Sequence, residues 1–183
     1  MRIERLKSSY DLRLQWRYFP LHPETPPEGR ALEDLFAGRG YDLAAMHAQM
    51  KARMEAEGLE YNRRTHTYNS RLAQELAKWA DSLGGFESVH AALYRSYFVD
   101  GRNIGKVGVL VDVARSVGLP GGEAMTVLGD RLFRQAVDAD WNLARRYGIT
   151  GVPTFVCNGH GAVGAQPYSV LEQLVKKGDS EGL

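Results

Sequence analysis

Ten residues, Tyr147-Gly148-Ile149-Thr150-Gly151-Val152-Pro153-Thr154-Phe155-Val156, set the tightest limit on how this chain folds. A helix ends at Gly148, and a proline stands at the mouth of an apolar strand. Proline has no N–H for a sheet ladder, so it is confined to the first residue of a strand, an edge or a bulge. A cis Val152–Pro153 bond would be a costly feature that demands a reason. The strand from Thr154 to Cys157 is closed by Asn158-Gly159, a two-residue hairpin signal, and Ala162 to Gly164 returns antiparallel. Leu171, Leu174 and Val175 place a last helix, with a polar tail, Lys177 to Leu183, expected to fray.

Ahead of that block, Arg2 to Ser9 reads as a helix with Ile3 and Leu6 apolar. Leu12, Leu14, Trp16 and Tyr18 then alternate with Arg13, Gln15 and Arg17, a period of two that predicts a half-buried strand. Prolines 20, 23, 26 and 27 mark an irregular loop up to Gly29. From Arg30 to Gly148 the pattern is helical almost throughout. Asp42 is the expected N-cap of a helix carrying Leu43, Met46, Met50 and Met54, with Gly58 just past its end. Further helices follow on Leu72, Leu76, Trp79 and Leu83; on Val89, Leu93 and Tyr97; and on Val109, Leu110, Val113 and Val117. A short segment from Glu123 to Leu128 precedes a long helix with Phe133, Val137, Trp141 and Ala144 on one face.

The totals exclude several functions. A chain of 183 residues, 44% hydrophobic and 25% charged, with net charge +1, is an ordinary globular domain without the basic face of a nucleic-acid binder. No apolar run reaches the length of a membrane span, and Met1 to Lys7 lack a signal-peptide core, which makes the cytoplasm the default location. The single cysteine, Cys157, excludes an internal disulfide and a Cys-x-x-Cys site within these residues.

Motifs along the chain resemble one known family. They are Tyr18-Phe19-Pro20-Leu21-His22-Pro23, Asn69-Ser70-Arg71-Leu72-Ala73, Leu93-Tyr94-Arg95-Ser96-Tyr97-Phe98, Gly101-Arg102-Asn103-Ile104, Gly148 to Phe155, and Gly164-Ala165-Gln166-Pro167. In this order they resemble the FrnE-like branch of the DsbA superfamily. The resemblance implies an α/β, thioredoxin-like fold: a discontinuous domain, 1–29 with 137–183, carrying an all-helical insertion, 30–136. It also implies that a cis-proline loop faces the redox cysteines and leaves the preceding backbone free to pair with substrate. In that family a first, central strand ends in the Cys-x-x-Cys turn; here Met1 falls inside the helix that follows it. A strand of about five residues is then missing, and each unpaired buried backbone group left on its neighbours would cost about 1–3 kcal/mol. Either the native protein begins upstream of Met1, or another element or subunit fills the gap.

The candidate site residues are Gly151, Val152 and Pro153, whose backbone would receive a peptide or glutathione, and His22 in the loop after the alternating segment. Gln166 joins them because the last helix starts beside it, where N-terminal amides can hold a carboxylate. Cys157 in an apolar strand reads as a small hydrophobe rather than a nucleophile. The remaining histidines, 47, 66, 90 and 160, lack metal spacing, and no metal or bound cofactor is expected beyond glutathione as co-substrate. The Met46, Met50, Met54 stripe reads as core or interface, and Arg63-Arg64 and Arg145-Arg146 as solvated positions. Asp138 and Asp140 lie on different sides of their helix and make no acid–base pair. Gly101 to Lys106 is one residue short of a P-loop and follows a helix, so it is set aside.

By resemblance the function is thiol–disulfide oxidoreduction or isomerisation on protein thiols or disulfides, with no nucleic-acid or membrane partner. Two other classes stay open: a glutathione-dependent isomerase or transferase of the 2-hydroxychromene-2-carboxylate isomerase or kappa type, and a non-catalytic assembly protein, as a homodimer covering the incomplete sheet edge. Without a second cysteine, the 183-residue chain is expected to be inactive as a dithiol oxidoreductase. An insulin-reduction assay checks this, and measurable turnover would overturn it.

Overall fold

The computed structural model describes residues 2–180 and separates into two compact units, Met1–Phe19 with Asp140–Leu183, and Pro20–Ala139. Helix α1 (Arg2–Ser9) opens the first unit, as its periodicity predicts. The chain returns to that unit along α8 (Arg134–Arg146), then forms strands β3 (Thr154–Cys157) and β4 (His160–Val163) and helix α9 (Tyr168–Ser180). Between lie β1 (Arg30–Ala31), α2 (Leu32–Phe36), α3 (Leu43–Ala56), β2 (His66–Thr67), α4 (Arg71–Ser82), α5 (Phe86–Tyr94), a π-helical turn (Arg95–Val99), α6 (Val107–Ser116) and α7 (Gly121–Gly129).

In the first unit the hairpin is built as the Asn-Gly signal requires. Asn158 and Gly159 have φ of 42° and 83°, and the register runs from Thr154↔Val163 to Cys157↔His160. Both turn residues occupy the left-handed region that suits a tight hairpin, which asparagine and glycine tolerate best. Leu6, Leu171 and Val175 form the buried centre, with Ile3, Tyr10, Leu12, Phe155 and Tyr168 packed around it. The last helix does not stop at Lys177 as its polar composition suggests; it continues to Ser180. The rest of the expected frayed tail, 181–183, lies outside the described residues.

The alternating segment Leu12–Tyr18 is not a strand. Among the described residues it joins no ladder, and Leu14 and Trp16 are exposed. Its anchor is a side chain: Asp140, 3% exposed on α8, accepts the Tyr18 N–H at 3.0 Å and the Arg17 guanidinium at 3.3 Å. A period of two shows which side chains alternate but not whether a neighbour supplies the other half of a ladder.

In the second unit α4 is the hub. Leu76, Ala77 and Ala80 are fully buried, beside Val89 of α5, Leu110 of α6 and Leu128 of α7. The loop before Arg30, expected in the first domain, belongs here: the Asn69 amide donates to the Pro23 and Thr25 carbonyls, and Asn103 donates to Pro27. Two features escape the helical reading. β1 and β2 form a two-residue antiparallel ladder, and the helix on Val89, Leu93 and Tyr97 passes into the π turn after Tyr94. Asp42 caps α3 as expected, accepting from the Ala44 and Ala45 amides at 2.9 and 3.0 Å. The methionine stripe, however, is not core: α3 has no buried residue, and Met46 and Met50 are exposed.

Glu75 is the most consequential polar residue of this unit. Its side chain is fully buried, and it accepts Arg71 Nε at 2.7 Å and Arg131 Nε and Nη2 at 2.8 and 2.7 Å. Burial alone would raise its pKa; the hydrogen bonds from Arg131 and Arg71 outweigh burial and hold the carboxyl below its usual range. A lowered folded pKa means that the stabilisation is complete above the ordinary glutamate value of about 4.3 and drains away as pH falls through the folded one. Removing one partner of a buried pair strands the other, so Glu75→Ala is expected to cost about 3 kcal/mol in urea unfolding at pH 7. A loss under about 1 kcal/mol, the scale of an exposed pair, would show the network to be dispensable.

Candidate functional site

Residues Gly151 to Pro153 form the entry to β3. The Val152–Pro153 bond is cis. The Pro153 carbonyl accepts the Gly164 N–H at 2.8 Å, which extends the hairpin one step beyond its first pair. Gly151 is tied inward, its carbonyl accepting the Thr154 hydroxyl at 2.7 Å. Val152 between them is different: its side chain is 50% exposed, and among the described residues neither its N–H nor its carbonyl has a hydrogen-bond partner. β3 pairs only with β4 among the described residues, so the strand that begins here keeps an open edge. Val163, opposite Thr154, is also exposed and gives this end of the hairpin an apolar rim.

The fold brings Gln166 to the same end. Its backbone N–H donates to the Gly164 carbonyl at 2.8 Å, and its side-chain amide donates to Val163 in a short contact. Gln166 therefore braces the turn after β4, and its amide hydrogen is committed locally. The remaining candidate, His22, sits in the loop before β1. It belongs to the second unit, with φ of 54°; its carbonyl accepts both the N–H and the hydroxyl of Thr25, and its ring nitrogen lies 3.5 Å from Glu24. Those contacts give His22 a place in the loop's own architecture.

Cys157 closes β3 against α9. A Cβ built on Gly178 would stand 2.5 Å from its Sγ, and the Asn158 side chain donates to the Gly178 carbonyl at 2.8 Å. The thiol fills space that a glycine leaves open, which is packing. Asp138 and Asp140 divide as expected: Asp138 binds Arg71 at 2.8 Å, while Asp140 holds the Tyr18 backbone. Among the described residues no group of three or more His, Cys, Asp or Glu is placed to hold a metal ion. No described helix is long and apolar enough to cross a membrane.

Sequence reasoning missed one polar cluster. Arg64, expected to be solvated, is half-buried, with its guanidinium carbon 4.7 Å from the Tyr97 ring centroid and 5.0 Å from that of Phe98. The π turn that presents these rings has no signature in a period of hydrophobic residues, because Leu93 and Tyr97 keep ordinary i, i+4 spacing.

Comparison with known proteins adds four findings. A family model described as a DSBA-like thioredoxin domain matches residues 1–176. The crystal structure of the probable DsbA oxidoreductase SCO1869 from Streptomyces coelicolor superposes with a TM-score of 0.88 at 28% identity, over 98% of this chain and 82% of that one. The uncharacterized protein YwbO of Bacillus subtilis is 25% identical over 169 residues, 90% of this chain and 82% of that one. The cytosolic disulfide reductase DsbM of Pseudomonas aeruginosa, solved with GSH, shares the fold at a TM-score of 0.50 and 23% identity, over 77% of this chain and 73% of that one.

The contact between Cys157 and Gly178 can be tested directly. Gly178→Ala is expected to destabilise by about 1–3 kcal/mol through overpacking, although alanine is the better helix former. In a Cys157→Ala background the loss should vanish. Equal losses in both backgrounds would refute the packing role.

Proposed function

The chain belongs to the family of DSBA-like thioredoxin domains, and on that premise we propose that its Gly151–Val152–Pro153 segment is the substrate-receiving half of a thiol–disulfide exchange site. The observation that carries this is Val152: exposed, with both backbone hydrogen-bonding groups unpartnered at the open edge of a strand. An extended peptide, or the γ-Glu-Cys-Gly backbone of glutathione, satisfies such an edge by adding a strand. Val152 and Val163 supply an apolar lip for the side chains that flank a disulfide.

The role requires no sulfur from β3. In exchange, a thiolate attacks one sulfur of a disulfide, the S–S bond breaks, and the second sulfur leaves as thiolate. A backbone clamp orients the bond under attack and carries no charge itself. Cys157, packed against Gly178, is not assigned the nucleophile. We assign the chain to thiol–disulfide exchange with protein disulfides or glutathione as ligands, and to the cytoplasm, as DsbM is described for its own organism. Support for the glutathione arm is the GSH recorded with DsbM; support for the protein arm is the exposed apolar lip.

Titration of ¹⁵N-labelled chain with oxidised glutathione, and separately with a short disulfide-linked peptide, tests this. The Val152 amide is expected to shift with saturation, while those within the β3–β4 ladder barely move. Saturable binding with Val152 unmoved, or no saturable binding of either ligand, would overturn the assignment.

A further inference from the structure

The second unit contains a cleft open to solvent, lined by Arg63, Arg64, His66, Tyr68, Tyr97 and Gly101 among others. Its floor comes from the π turn. The helix ends at Val99, which leaves its final carbonyls without intrahelical donors, and two are used at once: Asn62 N–H donates to Phe98 at 3.0 Å, and the Asn62 side chain donates to Val99 at 2.9 Å. These bonds lash the segment before β2 onto the turn, and Leu32 N–H to the Thr65 carbonyl at 2.8 Å fixes its far side. Arg63 and Arg64 are thus held by backbone on both flanks. π turns recur at functional sites.

The charge within the cleft is unbalanced. Arg63 has no hydrogen bond or ion pair among the described residues. Arg64 donates one guanidinium nitrogen to the Tyr97 hydroxyl and lies over two rings, but its Nε is buried with no partner. Tyr97 passes the chain on to the Thr67 hydroxyl at 3.3 Å, and the His66 ring bonds the Thr65 hydroxyl. The neighbouring carboxylates are engaged elsewhere: Glu60 and Asp100 both face Arg95, at 3.3 and 3.9 Å. An unmatched buried donor in a native fold asks for an acceptor, and two guanidiniums beside phenol and imidazole groups favour an oxyanion.

We infer that this cleft is a binding site for a small oxyanion, a phosphate or carboxylate group, free or carried on a small organic molecule. It lies wholly within the second unit and is independent of the thiol–disulfide assignment. The anion accepts from Arg63, and the Arg64 guanidinium beside it adds positive charge at the cleft wall.

The test uses the full chain, ¹⁵N-labelled, with sodium phosphate or sodium acetate replacing sodium chloride at constant ionic strength. Amides of Thr65, His66 and Gly101 are expected to shift with saturation; phosphate alone, acetate alone or both identify which anion is taken. Arg63→Gln alters an exposed side chain, leaves the fold intact and should weaken the saturable response about tenfold. Arg64→Gln, with folding checked by circular dichroism, should abolish it. Shifts that never saturate with either anion, or that are the same in Arg63→Gln, would overturn the inference.

Discussion

A carboxylate with no exposure to water determines how the helical part of this molecule is assembled. Glu75 on α4 is tolerable only because Arg71, one turn away on the same helix, and Arg131, from the connection after α7, converge on its two oxygens. Arg131 adopts φ of 55° there, a conformation uncommon for an arginine. Arg71 reaches further, to the Arg134 carbonyl at 2.8 Å and to Asp138. The first turn of α8 is therefore pinned to α4 by charge, while Leu76 and Ala77 on the neighbouring faces of α4 bury apolar surface. Polar and apolar parts of one helix specify the same arrangement, which is what makes a fold unique.

The other unit is held differently. It has a small buried centre of Leu6, Leu171 and Val175, and a hairpin whose turn is fixed by two residues that accept a left-handed backbone. Arg5 stacks on the Tyr168 ring at 4.0 Å, and the Tyr10 hydroxyl donates to Glu172 at 3.0 Å, so α1 and α9 are joined by contacts at both ends of the hydrophobic seam. This leaves the entry to β3 with an exposed valine and two free backbone groups.

Sequence reading succeeded where a single residue dictates local geometry. Asp42 capping, the Asn158-Gly159 turn, α1 and the proline at the mouth of β3 are all written in residue chemistry that acts over three or four positions. It failed where the outcome depends on a distant partner. Leu12 to Tyr18 alternates like a strand, yet its anchor is Asp140, more than a hundred residues away; the methionine stripe of α3 has core spacing, yet Met46 and Met50 are exposed. The two-residue ladder between Arg30–Ala31 and His66–Thr67 is too short to leave a pattern. Of the candidate residues, the turn geometry around Gly151 to Pro153 and Gln166 was legible because turn chemistry marks both, and the Gly164 N–H bond to Pro153 sets the two turns at one end of the hairpin. The cleft at Arg63 and Arg64 was not, because an arginine pair reads the same whether it faces water or a π turn.

Helix α3 carries a consequence of its own. Fourteen residues long, it is started by the Asp42 cap and touches the rest of its unit through contacts such as the His47 ring on Tyr61, 5.5 Å apart, while burying no residue. Isolated helices of this length are marginal in water, and positions with no buried neighbours tolerate most replacements. Evolution, or an engineer attaching a fluorophore or a fused domain, can rewrite its exposed positions with little effect on the fold, for α3 itself buries no residue.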